Sequence, residues 1–205
     1  MVQLLYIANP LCSWCWGFAP SLEQLLARFP GIDIILRTGP LAKEDGRPLD
    51  EAGRARLRGH WQRVQERTGQ PFDFAFLERA RFPYTSEPPC RALLLLRERW
   101  PALAVAGLLR LQERFYARGE DITDPERLGD ILCGEFGVEE ERFRARFFDP
   151  SLREMVAAEW RKTAALGVVG YPTLLALRGP RAVLLASGWR PGHELVAALE
   201  RLGAG

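Results

Sequence analysis

The sequence predicts an α/β fold in which a βαβ unit at residues 1–46 and a ββα unit at residues 167–205 flank a helical block at residues 47–166. Three observations carry that expectation. An apolar run, Val2 to Ala8, stands directly before Cys12-Ser13-Trp14-Cys15 and a helix-like stretch ending at Phe29. A second apolar run, Ile32 to Arg37, follows the Pro30-Gly31 break. Near the C-terminus two short runs, Leu174 to Arg178 and Ala182 to Ala186, are joined across Gly179-Pro180. Short apolar runs bounded by Gly and Pro read as strands, and the longer stretch between the first two reads as a helix.

Taken in order, a helix from about Cys12 to Phe29 between Val2–Ala8 and Ile32–Arg37 is the crossover that two parallel strands require. From Arg47 onward the periodicity becomes helical over Leu49–Thr68, Phe74–Arg81, Pro89–Trp100, Ala102–Arg118, Pro125–Phe136, Glu139–Phe148 and Ser151–Leu166. The breakers between them include Gly69-Gln70-Pro71, Pro83, Pro101, Gly119, Gly137 and Pro150. After the two late strands, Pro191 to Leu202 reads as a closing helix. No repeat or low-complexity segment interrupts this order.

With 205 residues, 47% of them apolar, the chain is long enough to bury a sizeable core. Lys and Arg number 28 against 26 Asp and Glu, and the two signs are interleaved, so neither nucleic acid nor a membrane surface is an expected partner. Met1 leads straight into a strand pattern with no basic n-region and no apolar run of spanning length, which makes a cytoplasmic location the default expectation. Four cysteines are too few for a disulfide scaffold, and only Cys12 and Cys15 are closely spaced.

That spacing carries chemistry. Two cysteines three apart at a helix start lie one turn from each other, close enough to form a disulfide, and the first sits beside unpaired backbone N–H groups. A cysteine titrates near pH ~8.5, but at such a position it falls to about 3.5–7.5, giving a working thiolate nucleophile in neutral solution. The competing reading is half of a zinc site completed by Cys90, Cys133 or a histidine. Zinc sites commonly use two close pairs, whereas Cys90 and Cys133 are isolated and His60 and His193 are distant in sequence. No metal is expected.

A second constellation, Gly167-Val168-Val169-Gly170-Tyr171-Pro172-Thr173, precedes the third strand. A proline entering a central strand cannot donate to the ladder. A cis Tyr171–Pro172 bond is one resolution, and it would turn the backbone groups of Tyr171 outward toward an extended substrate.

With these two motifs and the helical block between them, the chain resembles the DsbA-like branch of the thioredoxin superfamily, and within it FrnE-type proteins and predicted protein disulfide isomerases carrying Cys-x-Trp-Cys-Trp-Gly. The likeness spans Val2 to Gly203, with its specific content in Cys12–Gly17 and Gly167–Thr173. It implies a thioredoxin-like fold with residues 1–46 and 167–205 as its two halves and residues 47–166 as a helical insertion domain. It also implies a disulfide oxidoreductase or isomerase with Cys12 as nucleophile, Cys15 as resolving cysteine, and Tyr171, Pro172 and Thr173 lining the substrate site. The redox-active Cys12–Cys15 disulfide would then be the only redox group, with protein thiols and disulfides or glutathione as partners. In one respect the chain departs from the pattern: Tyr6 stands six residues before the nucleophile, where many thioredoxin-like proteins carry a buried acid. The resemblance extends to kappa-type glutathione transferases and chromene-carboxylate isomerases, which commonly have serine at the nucleophile position. Retention of both cysteines favours disulfide chemistry. A non-catalytic chaperone or zinc-stabilised scaffold is the remaining alternative.

The neighbouring residues divide by type. Trp14, between the two cysteines, is expected to contact substrate and Phe18 to pack in the core, while Trp16 suits either role. Ser13 is expected to cap the helix rather than to bond the thiolate. Cys90 and Cys133 are expected to pack as small apolar residues, and His60 and His193 to be surface or capping residues.

Overall fold

The computed structural model describes residues 2–41, 47–79 and 82–203. Strands β1 (Gln3–Ala8), β2 (Asp33–Thr38), β3 (Thr173–Arg178) and β4 (Arg181–Ser187) form one sheet in the order β2-β1-β3-β4. β1 runs parallel to β2, joined by helix α1 (Ser13–Arg28), and antiparallel to β3, which pairs antiparallel with β4. Helix α8 (Gly192–Arg201) closes the chain and packs on α1. This is the thioredoxin-like order expected from the sequence. As the second strand from one edge, β1 is covered on both faces. Leu4, Tyr6 and Ala8, alternate residues on one side, are fully buried, and so is Ile7 on the other.

Helix α1 contains Pro20, whose missing N–H leaves the Trp16 carbonyl without its intrahelical donor. The side-chain amide of Gln70, from the turn after the first insertion helix, supplies that donor at 3.0 Å. Gly17 lets the two helices approach: a Cβ there would stand 2.8 Å from Val64 and 2.9 Å from Thr68.

The helical insertion comprises α2 (Glu51–Thr68), α3 (Glu87–Arg99), α4 (Ala104–Gln112), α5 (Pro125–Phe136), α6 (Glu140–Phe147) and α7 (Pro150–Ala165). Asp50, Asp124 and Asp149 cap α2, α5 and α7 through their carboxylates, and Gly69 and Gly137 end α2 and α5 at left-handed φ values of 75° and 67°. Several boundaries differ from those read in the sequence. Pro150 is the first residue of α7 rather than a breaker, a position where the missing N–H would have been unpaired anyway. The same argument lets α3 begin at Glu87, with Pro88 and Pro89 in its first turn. The helix expected at Phe74–Arg81 is a 3-10 stretch over Phe74–Glu78, and its expected end at Ala80 and Arg81 lies outside the described residues. The single helix expected over Ala102–Arg118 is divided into a 3-10 turn begun by Pro101, then α4, then a π turn at Glu113–Ala117. Residues 42–46, next to the expected boundary of the insertion, also lie outside the description.

The insertion has an aromatic core of its own. Trp61 of α2 is fully buried, with Phe72, Phe76, Phe115 and Tyr116 at ring distances of 5.2–6.5 Å. Trp16 of α1 stacks on Tyr116 at 6.3 Å and so joins this core to the sheet side. A polar staple does the same at the end of β2. The buried Glu159 of α7 accepts from Thr38 N and Oγ1, each at 2.8 Å, and pairs with Arg97 of α3, while Thr163 Oγ1 donates to the Thr38 carbonyl. Both links hold the insertion against the end of the sheet where the cysteines lie.

Candidate active site

The site is built from the loop after β1. Asn9 is buried; its Oδ1 accepts from Leu11 N at 2.8 Å, and its Nδ2 donates to the Gly39 carbonyl at 2.7 Å and to Ser86 Oγ at 2.6 Å. Gln112 Nε2 donates to the Asn9 carbonyl at 3.2 Å, and Tyr84 donates through its hydroxyl to the Leu11 carbonyl at 3.0 Å. One residue of β1's end is thereby fastened to β2's end and to two insertion helices. The chain then enters α1 with a fixed approach.

Cys12 occupies the capping position of α1, with extended φ and ψ of −91° and 108°, and its Sγ accepts from Cys15 N at 3.4 Å. The cap is therefore Cys12 itself and not Ser13, which is the first helical residue and is buried. A sulfur in that position meets the unpaired donors and the positive end of the helix dipole directly. Cys12 is partly exposed, whereas Cys15 is fully buried. The Cys15 thiol and the backbone N–H groups of Cys15 and Trp14 bond to the Cys12 sulfur and hold its pKa below that of an ordinary thiol, against the opposing effect of burial. Cys15 is pushed the other way: burial and the neighbouring Cys12 sulfur drive its pKa well up. The two thiols are thereby shifted in opposite directions, Cys12 toward the thiolate and Cys15 toward the protonated form.

On the facing side the Tyr171–Pro172 peptide is cis, as expected from the sequence, and the Tyr171 carbonyl lies 3.6 Å from Cys12 Sγ. Pro172 and Thr173 are buried where β3 begins, and Thr173 Oγ1 donates to the Gly170 carbonyl at 2.8 Å. Gly39 admits the Tyr171 phenol, which a Cβ at that position would strike. Val169, in the same loop, is 92% exposed.

The aromatic residues separate by role. Phe18 is in the core, 5.9 Å from the Tyr6 ring. Trp16, for which sequence offered two roles, is buried, donates through its indole to the Pro71 carbonyl at 3.0 Å and is a core residue. Trp14 is partly exposed and meets His60 of α2 edge-on at 6.2 Å. His60 is thus not a simple surface residue: burial and Arg63 beside it lower its pKa and favour the neutral ring. His193 is exposed. Cys90 is buried, 4.0 Å from Asn9 Nδ2, whereas Cys133 is only partly buried and lines a surface cleft with Gly129, Asp130 and Glu140, so it is not the core residue its apolar flanks suggested.

Asn9, Tyr84, Gln112 and Tyr116 were not singled out in the sequence. Only Asn9 carried a signal, as a polar residue before Pro10 at the end of an apolar run. Among the described residues no group of three or more His, Cys, Asp or Glu side chains converges to hold a metal, and no helix is long and apolar enough to cross a membrane.

Comparison with solved structures finds a candidate protein disulfide isomerase from Nitrosomonas europaea at 31% identity and TM-score 0.86, covering 98% of this chain and 96% of that one. The cytosolic disulfide reductase DsbM from Pseudomonas aeruginosa is 28% identical, with TM-score 0.81 over 99% and 100% of the two chains; its structure with GSH superposes with TM-score 0.77. A 2-hydroxychromene-2-carboxylate isomerase is 15% identical, with TM-score 0.65 over 98% and 94%, a likeness of fold alone. No curated protein sequence matches significantly. The DSBA-like thioredoxin domain matches residues 8–199. With that match spanning both cysteines, the insertion and the cis-proline loop, this chain belongs to the DSBA-like thioredoxin domain family.

Proposed function

We propose that the protein is a thiol–disulfide oxidoreductase in which Cys12 is the nucleophile and Cys15 the resolving thiol. The observation that carries this reading is the asymmetry of the pair: Cys12 is partly exposed at the helix cap with its pKa held down, and Cys15 is buried with its pKa pushed up. The family match and the disulfide reductase and isomerase neighbours support the same reaction class.

In the reducing direction the Cys12 thiolate attacks one sulfur of a substrate disulfide. A Cys12–substrate bond forms, the substrate S–S bond breaks, and the departing thiolate takes a proton from water. Cys15 then loses its proton to solvent and attacks Cys12 Sγ, and the second substrate thiol leaves. One substrate disulfide and two protein thiols thereby become two substrate thiols and a Cys12–Cys15 disulfide. Run backwards, the same steps oxidise a substrate.

Protein disulfides and glutathione are the substrates of this reading, with Trp14, Tyr171, Pro172 and Thr173 forming the walls of the site. The GSH complex of the P. aeruginosa reductase supports glutathione as the thiol that restores the pair: two molecules reduce the disulfide and leave as oxidised glutathione. A cytoplasmic place of action belongs to the same proposal, supported by the cytosolic neighbour. The test is a redox titration of Cys12–Cys15 against glutathione together with reduction of an insulin disulfide. A titrating two-electron couple and a turnover lost in Cys12→Ser are expected; a wild-type protein that neither titrates nor turns over would overturn the proposal.

A further inference from the structure

The helix beside the redox pair carries a row of arginines that no carboxylate neutralises. Arg56, His60, Arg63 and Arg67 of α2 stand at i, i+4, i+7 and i+11, which puts them on one face. The three arginines are exposed, and among the described residues no carboxylate pairs with any of them. Glu66, on the same helix, is exposed and pairs with neither neighbour. Elsewhere the chain's arginines commonly hold a glutamate, as Arg58 on another face of α2 holds Glu78, and Arg114 and Arg146 hold Glu135 and Glu98.

This face runs along the mouth of the site. His60 meets the Trp14 ring edge-on at 6.2 Å, and its Nδ1 accepts from Arg63 Nη2 at 3.2 Å. One turn on, the Arg67 guanidinium lies 4.7 Å from the centre of the Trp189 ring, whose indole donates to the Gly17 carbonyl of α1 at 3.1 Å. The row therefore touches α1 at Trp14, between the two cysteines, and through Trp189 at Gly17. Resting on the disulfide-exchange reading, we propose that Arg63 and Arg67 bind the carboxylates of a glutathionyl group whose sulfur is joined to Cys12, so that glutathione disulfide is preferred over uncharged disulfides.

Chemistry and length argue for this occupant. Glutathione is a tripeptide with its cysteine in the middle and a carboxylate at each end, and an extended tripeptide spans about 10 Å. From His60 to Arg67 the helix rises about 10 Å, at ~1.5 Å per residue. With the central sulfur held by Cys12, one end of the tripeptide runs past Trp14 along the row, where the planar guanidinium forks match a carboxylate in two places. A protein partner would instead need a broad surface, about 800 Å² on this side, and the row is a single helix face. The exchange itself is unchanged. The glutathione S–S bond breaks as the Cys12–glutathione bond forms, one glutathione departs as thiolate and takes a proton from water, and Cys15 then displaces the second.

The test compares reduced wild type with the double variant Arg63→Gln, Arg67→Gln in single-turnover reaction with an excess of three oxidants: glutathione disulfide, the uncharged 2-hydroxyethyl disulfide, and insulin. Acid quenching and mass measurement follow formation of the Cys12–Cys15 disulfide. The variant should react about tenfold more slowly with glutathione disulfide, the most that two exposed ion pairs supply, and at an unchanged rate with 2-hydroxyethyl disulfide. Iodoacetamide should alkylate Cys12 equally fast in both proteins, which shows that the thiolate and the fold around it are intact. Raising the ionic strength from about 0.05 to about 0.5 M should bring the wild-type rate with glutathione disulfide toward that of the variant. Arg142→Gln, which removes an exposed arginine of α6, should change none of these rates. An equal loss with both small disulfides, no loss with either, or a loss confined to insulin would overturn the proposal while leaving the redox pair standing. A wild-type protein oxidised by none of the three would remove the redox pair and this proposal together.

Discussion

Cys12 Sγ and the carbonyl oxygen of Tyr171 stand 3.6 Å apart although 159 residues separate them in the chain. Everything between them, including the whole insertion, has to close for the two to meet. Gly39 at the end of β2 is one condition of that closure, because its missing side chain is where the Tyr171 phenol lies. Gly39→Ala should push the phenol out and take the carbonyl with it. We expect disulfide turnover to fall about tenfold and stability by about 1–3 kcal/mol, the usual cost of overpacking. Cys12 alkylation should change little, since the helix cap does not depend on the loop; insulin reduction and alkylation rates measured side by side separate the two effects.

Brief iodoacetamide treatment of reduced protein at about pH 6 should label Cys12 ahead of the other three thiols. The bond from the Cys15 thiol and the helix N–H groups lower its pKa, whereas burial raises that of Cys15 and of Cys133. Thiolate, not thiol, is the reactive form, so the advantage should narrow as pH rises and Cys133 ionises. Mass mapping of the labelled peptides checks it, and first labelling at Cys133 would contradict the assignment.

Division of labour between the cysteines predicts an asymmetric pair of variants. Cys15→Ser should accumulate a mixed disulfide through Cys12, because nothing resolves it, and Cys12→Ser should form no adduct with an oxidised substrate. Non-reducing gels read both outcomes. Adducts of equal intensity would mean that the buried thiol also attacks.

How much of this was legible in the sequence depended on the distance between cause and effect. Cys12, Cys15 and Pro172 announced themselves because their chemistry is written within a few residues: a CxxC before a helix, a proline before a strand. The succession of elements along the chain, βαβ and then ββα, followed from the same short-range signals, whereas the order of the strands in the sheet did not. Trp16 could not be assigned, since the Pro71 carbonyl that binds its indole and the Tyr116 ring that stacks on it belong to remote segments. Ser13 was misread as the cap because hydroxyls usually hold that position, and here a sulfur does. Pro150 misled in the opposite direction: it looks like a breaker in a linear reading and is the first residue of α7 in the fold.

Asn9 is the clearest omission, and its removal should be costly. Asn9→Ala would strip the buried Gly39 carbonyl and the Leu11 N–H of their partners and loosen the loop that delivers Cys12 to the cap. A loss of about 2–3 kcal/mol in stability is expected. The Cys12 alkylation rate at about pH 6 should fall as well, because a displaced sulfur loses its helix N–H groups. Denaturant unfolding and alkylation together test this; a stability loss with unchanged Cys12 reactivity would show that Asn9 serves the fold alone.

The Glu159 staple predicts how the fold responds to acid. Burial alone would raise the Glu159 pKa, but the hydrogen bond and charge of Arg97 and the two donors of Thr38 outweigh it and bring the carboxyl below its ordinary value. A carboxylate whose pKa is lower in the folded than in the unfolded chain contributes stability that is complete above the unfolded value, about 4.3, and is lost as pH falls through the folded one. The melting temperature should therefore drop as pH is lowered from about 5 toward 3, with the insertion loosening from the end of β2. Glu159→Gln removes the titration and leaves Arg97 and Arg37 without their shared carboxylate. At neutral pH that should cost about 3 kcal/mol, the low end for breaking a buried pair, because both guanidinium groups can still reach water. Its melting curve should be flatter than the wild type's over the acid range, so the two curves converge as pH falls. Parallel curves would show that another carboxylate governs the acid response.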